Sequence, residues 1–323
     1  MIDEEETTPY HLIKSTKRRE VRMIRQTQDQ RGWITEDPTE IAQIFVAHLK
    51  DIYSPIDVSD SRVAEMLNAM PPNTPPSCAA YLEQPITAEE LYAALRSGGP
   101  NKAPESDGFS REFCIRLWDT IRDDMLGVMN QMYINNSMRR RQQHGIIISL
   151  PKEKGDKTPA DYRPITLMKT DYKLLARIMA RRLTTVLEER LPSSQYCSVP
   201  GKFILESVSV LRDVVAHAEL TRTALCILSL DFRSAFDCIS HRYLFQILAE
   251  YGIIAWFIDR IRSMYENATA SLQINGPLAD PIPIHSAIRQ GCPLSMALYA
   301  LCLHPLLRTL EDRLTGDGIG ERG

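Results

Sequence analysis

Nowhere in this 323-residue sequence does an apolar run approach the roughly 18 residues of a membrane span. The N-terminus, M-I-D-E-E-E, is acidic, with no apolar stretch behind it, so no signal peptide is read there. These absences lead to the expectation of a soluble, intracellular chain of the nucleus or cytoplasm, with no membrane partner. Cysteine is sparse: seven residues, at 78, 114, 197, 226, 238, 292 and 302, with no C-x-x-C pair among them. That spacing argues against a zinc site or a disulfide framework and suggests small core residues in a reducing compartment. Neither G-x-x-x-x-G-K-[ST] nor G-x-G-x-x-G occurs, which removes the two common nucleotide-binding folds from consideration. There are no internal repeats and no coiled-coil heptads.

What is present is ordinary in bulk and uneven in placement. The chain is 44% hydrophobic and 24% charged, and long enough for two compact domains. Its net charge of −3 hides a basic segment. From Arg139 to Arg182 there are twelve lysines and arginines against four acids. Such a segment is either a solvated charged face or a surface for a polyanion such as nucleic acid or a nucleoside triphosphate.

Local signals predict a helix-rich α+β chain with short antiparallel hairpins around one core strand. A helix is expected near Leu12–Arg25, then a turn at Gln30-Arg31-Gly32. Asp37-Pro38-Thr39-Glu40 opens a helix that buries Ile41, Ile44, Phe45, Leu49 and Ile52. Residues 71–85 form a proline-rich connector and the best candidate boundary. Thr87 with Glu90 starts a helix closed by Gly98-Gly99, and a glycine- and proline-punctuated loop then leads to a helix carrying Phe113, Leu117, Trp118 and Ile121. Gly145–Leu150 and Arg163–Leu167 read as an antiparallel hairpin. A long helix over Tyr172–Leu191 places Leu174, Ile178, Leu183 and Leu187 inside and its arginines outside. A helix from about Ile204 to Ala218 leads to an apolar run, A-L-C-I-L-S-L, expected to be a buried strand ending at Asp231. Asn275-Gly276 sits between two further strands, Ala268–Ile274 and Ile282–Ile288. Pro293 starts an apolar helix to about Leu314.

Several of these segments carry groups suited to chemistry. A carboxylate at the end of a core strand is costly unless a cation sits on it, which makes Asp231 a candidate metal ligand, although turn and capping roles compete. Ser234-x-x-Asp237 resembles a capping box, so Asp237 reads as a helix-start carboxylate. Lys152 and Arg163 fall on facing parts of the hairpin, a geometry able to clamp a triphosphate. A-I-R-Q-G-C-P-L-S puts a glutamine and a glycine in a tight turn before a helix.

Taken in order, six blocks resemble the reverse transcriptase domain of LINE-type, non-LTR retrotransposons. They are N-K-A-P-E-S-D-G (101–108), I-S-L-P-K-E-K-G-D (148–156), D-Y-R-P-I-T-L (161–167), D-Y-K-L-L-A-R-I-M-A-R-R-L (171–183), L-S-L-D-F-R-S-A-F-D (228–237) and R-Q-G-C-P-L-S (289–295). The resemblance implies an incomplete right-hand polymerase in three parts. Residues 1–85 would be a helical N-terminal extension and connector, 86–223 fingers with intercalated palm helices, and 224–323 a partial palm. It implies RNA-directed DNA synthesis on an RNA template from a DNA primer, with dNTPs and two Mg2+ ions. Asp231 would be the first catalytic, metal-binding carboxylate, with the Phe232 carbonyl beside it. Phe236 would exclude a ribose 2'-hydroxyl. Lys152 and Arg163 would hold the triphosphate, and Gln290 and Gly291 would line the nucleotide pocket and template strand. Lys102, Lys173, Arg177 and Arg181 would contact nucleic acid.

The sequence also departs from the pattern. Met296 stands where proline is usual, A-P-E-S-D-G alters the first loop, and no Y/F-A-D-D hairpin occurs; the later acids, Glu311, Asp312, Asp317 and Glu321, form no such pair on a strand. The expectation is therefore a chain truncated before its second catalytic hairpin and thumb, with little or no polymerase activity of its own. A non-catalytic nucleic-acid-binding remnant, or an incomplete gene model, is the alternative. The strand over Leu225–Asp231 would then be a sheet edge with exposed apolar surface and a tendency to aggregate.

Overall fold

The computed structural model describes residues 23–68, 70, 79–99, 110–152, 158–191, 195–196, 201–232 and 234–316. Most of the helix expected near Leu12–Arg25, much of the proline-rich connector, Lys102 with its loop, residues 153–157, Cys78 and Cys197 lie outside the described residues.

The first described elements follow their local chemistry. Strands β1 (Thr27–Gln28) and β2 (Ile34–Thr35) pair antiparallel around the Gln30–Gly32 turn. Helix α1 (Pro38–Ile52) starts where Asp37 accepts hydrogen bonds from the backbone N–H groups of Thr39 and Glu40, at 2.8 and 2.9 Å. Such a cap contributes about 1 kcal/mol. Its stripe buries Ile41, Phe45 and Leu49. Short helices α2 (Asp60–Asn68) and α3 (Ala79–Glu83) precede α4 (Ala88–Arg96), which is capped by the Thr87 hydroxyl. The helix expected around Trp118 is two helices, α5 (Arg111–Arg116) and α6 (Trp118–Ile134), and a single turn, α7 (Arg140–Gln143), leads to the sheet.

The sheet is built from β3 (His144–Pro151), β4 (Tyr162–Leu167), β5 (Thr269–Gln273) and β6 (Ile282–Pro283), in the order β4-β3-β5-β6. The hairpin β3–β4 is antiparallel, with Ile147 opposite Thr166 and Leu150 opposite Arg163. The β3–β5 pair is parallel, with Ile147 beside Leu272, so the sheet is mixed where antiparallel hairpins were expected. Alternation along β3 sends Ile147 to the face covered by α1, in a core with Phe45, Tyr162, Ala270, Leu272 and Ile282. Ile146, Ile148, Leu150, Ile165 and Leu167 point to the other face and are half-buried.

A second, larger core surrounds α8 (Thr170–Arg190). Tyr172, Leu175, Ile178 and Leu183 are buried against α4, α6 and three later helices: α10 (His241–Glu250), α11 (Ala255–Tyr265) and α12 (Ser295–Gly316). Leu82 of α3 and Ile86 belong to this core too, so the residues after the proline-rich stretch pack with α8. Each fully buried aliphatic side chain here contributes on the order of 1.5–3 kcal/mol. The arginines of α8 are not all outside. Arg182 is 1% exposed and packs between the rings of Tyr133 and Tyr81. Its guanidinium meets both Glu90 oxygens, at 2.8 and 2.6 Å, and donates to the Gln84 and Pro85 carbonyls. Such a pair makes burial of the charge tolerable, which helical periodicity alone does not reveal.

The largest difference from expectation lies at residues 223–232. The apolar run is extended but forms no strand, and every residue from Thr223 to Phe232 is exposed. An apolar run becomes a core strand only if another strand satisfies its backbone groups, and none of the described strands pairs with this one. Helix α9 (Ile204–Thr221), just before it, has no buried residue. Phe203, Leu205, Val208, Leu211, Leu228 and Leu230 together give residues 203–232 an apolar surface. Two cysteines read as core residues, Cys226 and Cys238, are exposed for the same local reason, whereas Cys114, Cys292 and Cys302 are buried.

Candidate active site

β4 is an edge strand of the sheet, and the R-Q-G turn is laid along its free side. The Thr166 N–H donates to the Gln290 carbonyl at 2.8 Å. Gly291 has φ +100°, and a Cβ there would sit 2.8 Å from the Thr166 carbonyl oxygen. Glycine alone suits both the backbone conformation and the close approach.

Arg289 anchors the turn from inside. It is 1% exposed and donates to the carbonyl oxygens of Gln143, at 2.9 Å, and Met264. Its guanidinium lies over the rings of Tyr172, at 4.7 Å, and Tyr265, at 5.7 Å. Ser295 Oγ donates to the Arg289 carbonyl at 2.7 Å, tying the turn to the start of α12. Just before it, Ala287 is fully buried with φ 75°, a strained conformation for a residue with a Cβ. Its carbonyl is 2.9 Å from His241 Nε2, and its N–H donates to Ile239.

The D-F-R-S-A-F-D segment meets this turn through its second half. Ile288 N–H donates to the Phe236 carbonyl at 2.8 Å, and the Phe236 ring packs on Tyr299 at 4.9 Å between centroids. Asp237 does not cap a helix. It lies in a turn over residues 234–238, while Ser240 is the N-cap residue of α10. The carboxylate is buried and accepts from Gln290 Nε2 at 3.1 and 3.2 Å. Burial pushes its pKa above the ordinary carboxylate value, while the Gln290 hydrogen bond and the Lys152 charge pull the other way. Ser234 opens the turn with φ 57°, a second strained position.

Lys152 and Arg163 stand on the fingers hairpin. Cross-strand register puts Arg163 on the same face as Leu150, and alternation adds Lys152 to that face. Lys152 Nζ donates to the Ala160 carbonyl at 2.7 Å, and Arg163 is exposed. Lys152, Phe236, Gln290 and Gly291, with Asp237 added, are therefore gathered around one end of the sheet. Asp231 and Phe232 are not drawn into this cluster as a buried strand end: both are exposed. Among the described residues no group of three or more His, Cys, Asp or Glu side chains comes together as a metal site. A two-metal centre needs several convergent oxygens, and Asp231 with the Phe232 carbonyl is an incomplete donor set for one.

Lys173 and Arg177, on the first turns of α8, line a concavity of about 280 Å³ with Arg111 and with Gly98, Gly99 and Gly291. Arg181 is exposed one turn further on. Sequence reasoning missed Asp237 as a site residue, Arg289 as the anchor and Arg111 altogether. The available signal for Arg289 was an arginine set between buried apolar residues, Ile288 and Cys292 among them.

Comparison with known proteins agrees with this grouping. Residues 150–319 match the family model described as reverse transcriptase (RNA-dependent DNA polymerase). The transposon TX1 uncharacterized 149 kDa protein of Xenopus laevis is 34% identical over 285 residues, 88% of this chain and 22% of that protein. The Pol polyprotein of the type-2 retrotransposable element R2DM of Drosophila melanogaster is 26% identical over 235 residues, 71% of this chain and 21% of its own. The probable RNA-directed DNA polymerase from transposon X-element of the same fly is 24% identical over 304 residues, 92% and 33% respectively. The chain thus spans about a fifth to a third of the length of these relatives. With a family match over residues 150–319, six motifs in family order and these retrotransposon relatives, the chain belongs to the reverse transcriptase family, among the enzymes of LINE-type retrotransposons.

Proposed function

We propose that this chain is the fingers and part of the palm of an RNA-directed DNA polymerase, shaped to hold an incoming dNTP against an RNA template and a DNA primer. The observation that carries the reading is the junction of three distant segments: the 234–238 turn, the 289–291 turn and the β3–β4 hairpin, joined by the Asp237–Gln290 and Thr166–Gln290 hydrogen bonds. In this reading Lys152 and Arg163 take the triphosphate. Phe236 stands against the sugar, while Gln290 and Gly291 form the wall at the templating base. Lys102, Lys173, Arg177 and Arg181 hold nucleic-acid backbone. The proposed first-half organisation is an N-terminal extension over 1–85, fingers with palm helices over 86–223 and partial palm over 224–323.

Asp231 and the Phe232 carbonyl are proposed as one side of a Mg2+ site whose remaining carboxylates are not among these 323 residues. The exposed apolar surface over residues 203–232 supports that view, since a polypeptide segment covering it would also give residues 225–231 a strand partner. No catalytic step is assigned to the chain alone; its own residues bind and orient.

Primer extension and hybrid binding test the reading together. The chain is expected to bind an RNA:DNA hybrid with affinity that falls steeply with salt, and to incorporate no dNTP with Mg2+ present. Absence of salt-sensitive binding would overturn the polymerase reading. Incorporation that disappears in Asp231→Ala would overturn the claim that the chain is incomplete.

A further inference from the structure

The concavity between α4, α5, α8 and the R-Q-G turn has an unusual charge balance. Its charged lining side chains are Arg111, Lys173 and Arg177, and no aspartate or glutamate lines it. Arg111 is partly neutralised by Glu112, at 2.9 Å, and donates to the Leu95 carbonyl at 3.2 Å. Arg177 donates to the Ala94 carbonyl at 3.1 Å. Burial, then the nearby charges of Arg111 and Arg181, hold the Arg177 pKa below its ordinary value. Clustered cations repel, and an anion placed among them removes that cost.

The sequence also keeps the space open. A Cβ on residue 98 would lie 2.7 Å from Arg111 Cδ and 3.3 Å from an Arg177 nitrogen, so Gly98 lets the two guanidinium groups close around the rim. The other walls are apolar, from Ile165, Leu167, Leu174 and Pro293, with the Ser110 and Thr170 side chains among them. A cationic floor with apolar sides suits a sugar-phosphate unit.

We propose that this concavity binds one phosphodiester group of a single-stranded nucleic acid as the strand leaves the Gly291 side of the site. The inference deepens the polymerase reading and rests on it for the identity of the anion. Two features separate it from a triphosphate site. Its volume of about 280 Å³ holds roughly one nucleotide backbone unit and no duplex. It also lies at the Leu167 end of β4, four residues from Arg163, and thus about 13 Å along the strand from the proposed triphosphate clamp.

The test is fluorescence anisotropy of the full chain with a labelled oligo(rU), titrated across NaCl concentrations. Lys173→Gln and Arg177→Gln are each expected to weaken binding several-fold and to lower the slope of log K against log salt by about 0.7, the value for one single-strand phosphate contact. Lys173→Arg is expected to restore the wild-type slope. Arg122→Gln, which removes an exposed cation of α6 outside the concavity, is the control and is expected to change neither. Because Arg177 also holds α4, Lys173→Gln is the variant that decides if Arg177→Gln fails to fold. Slopes for Lys173→Gln equal to those of Arg122→Gln, with wild type still binding, would overturn the phosphate site and leave the polymerase reading standing. No salt-sensitive binding by wild type would overturn both. Displacement of the oligonucleotide by dTTP or inorganic phosphate at constant ionic strength, lost in Lys173→Gln, would assign the concavity to a free anion and overturn the proposal.

Discussion

The Gln290 side-chain amide donates to both oxygens of the Asp237 carboxylate, at 3.1 and 3.2 Å, across 53 residues of sequence. The contact orients Gln290 at the mouth of the proposed nucleotide pocket, because its nitrogen is turned inward and its oxygen is left to face the other way. It also burdens the fold with a buried carboxylate. The folded-state pKa of Asp237 is raised, so the folded protein binds the proton more tightly than the unfolded chain. Its contribution to stability is therefore complete below the unfolded carboxylate pKa and is lost as pH rises through the folded value.

Asp237→Asn is accordingly expected to unfold at a higher urea concentration than wild type at neutral pH, with the difference closing as pH is lowered towards 4. The asparagine oxygen still accepts from Gln290, so orientation is retained. Asp237→Ala, by contrast, leaves the Gln290 amide without its acceptor. Urea midpoints measured from pH 4 to 8 decide the matter: a wild-type advantage that grows with pH would mean that the carboxylate is stabilised by its surroundings.

Arg289 offers a harder test, since no carboxylate partners it in the contacts described above. Arg289→Ala is expected to cost about 3–5 kcal/mol by chemical denaturation, from two unsatisfied carbonyls and the vacated space between Tyr172 and Tyr265. Arg289→Lys keeps the charge but lacks the planar fork that reaches two carbonyls, and is expected to recover less than half of the loss. Wild-type stability in the lysine variant would show that charge, not geometry, holds the turn.

The reach of sequence reasoning follows from the range of the interactions involved. Caps at Asp37 and Thr87, the β3–β4 hairpin and the glycine in the R-Q-G turn depend on neighbours a few residues away, and each was legible. Asp237, Arg182 and Arg289 were not, because their partners Gln290, Glu90, Gln143 and Met264 lie 25 to 146 residues distant. Residues 225–231 failed in a different way. Their composition describes a core strand correctly only in the presence of a neighbour, and periodicity cannot report who that neighbour is.

That open surface carries its own expectation. Leu228 is 75% exposed and Leu205 equally so, so neither contributes to the packed cores. Leu205→Glu with Leu228→Glu is expected to change unfolding free energy by no more than about 0.5 kcal/mol per site while reducing aggregation. Light scattering during storage and a parallel denaturant melt provide the comparison. A large loss of stability would mean that these side chains are covered in solution.

The Arg182–Glu90 pair tests how the segment around α4 is held to α8. Arg182 is the larger investment of buried charge, and three backbone carbonyls near residues 82–85 depend on it as well. Glu90→Gln keeps an acceptor but removes the charge, leaving a guanidinium buried without its counter-ion, and is expected to cost about 3 kcal/mol. Arg182→Met with Glu90→Leu removes both charges and fills the space with apolar atoms. Its cost is expected to fall short of the summed single losses by more than about 1.5 kcal/mol, the signature of two directly coupled side chains. Strict additivity in that cycle would show that Arg182 is held by the Tyr81 and Tyr133 rings and the carbonyls, with Glu90 a bystander.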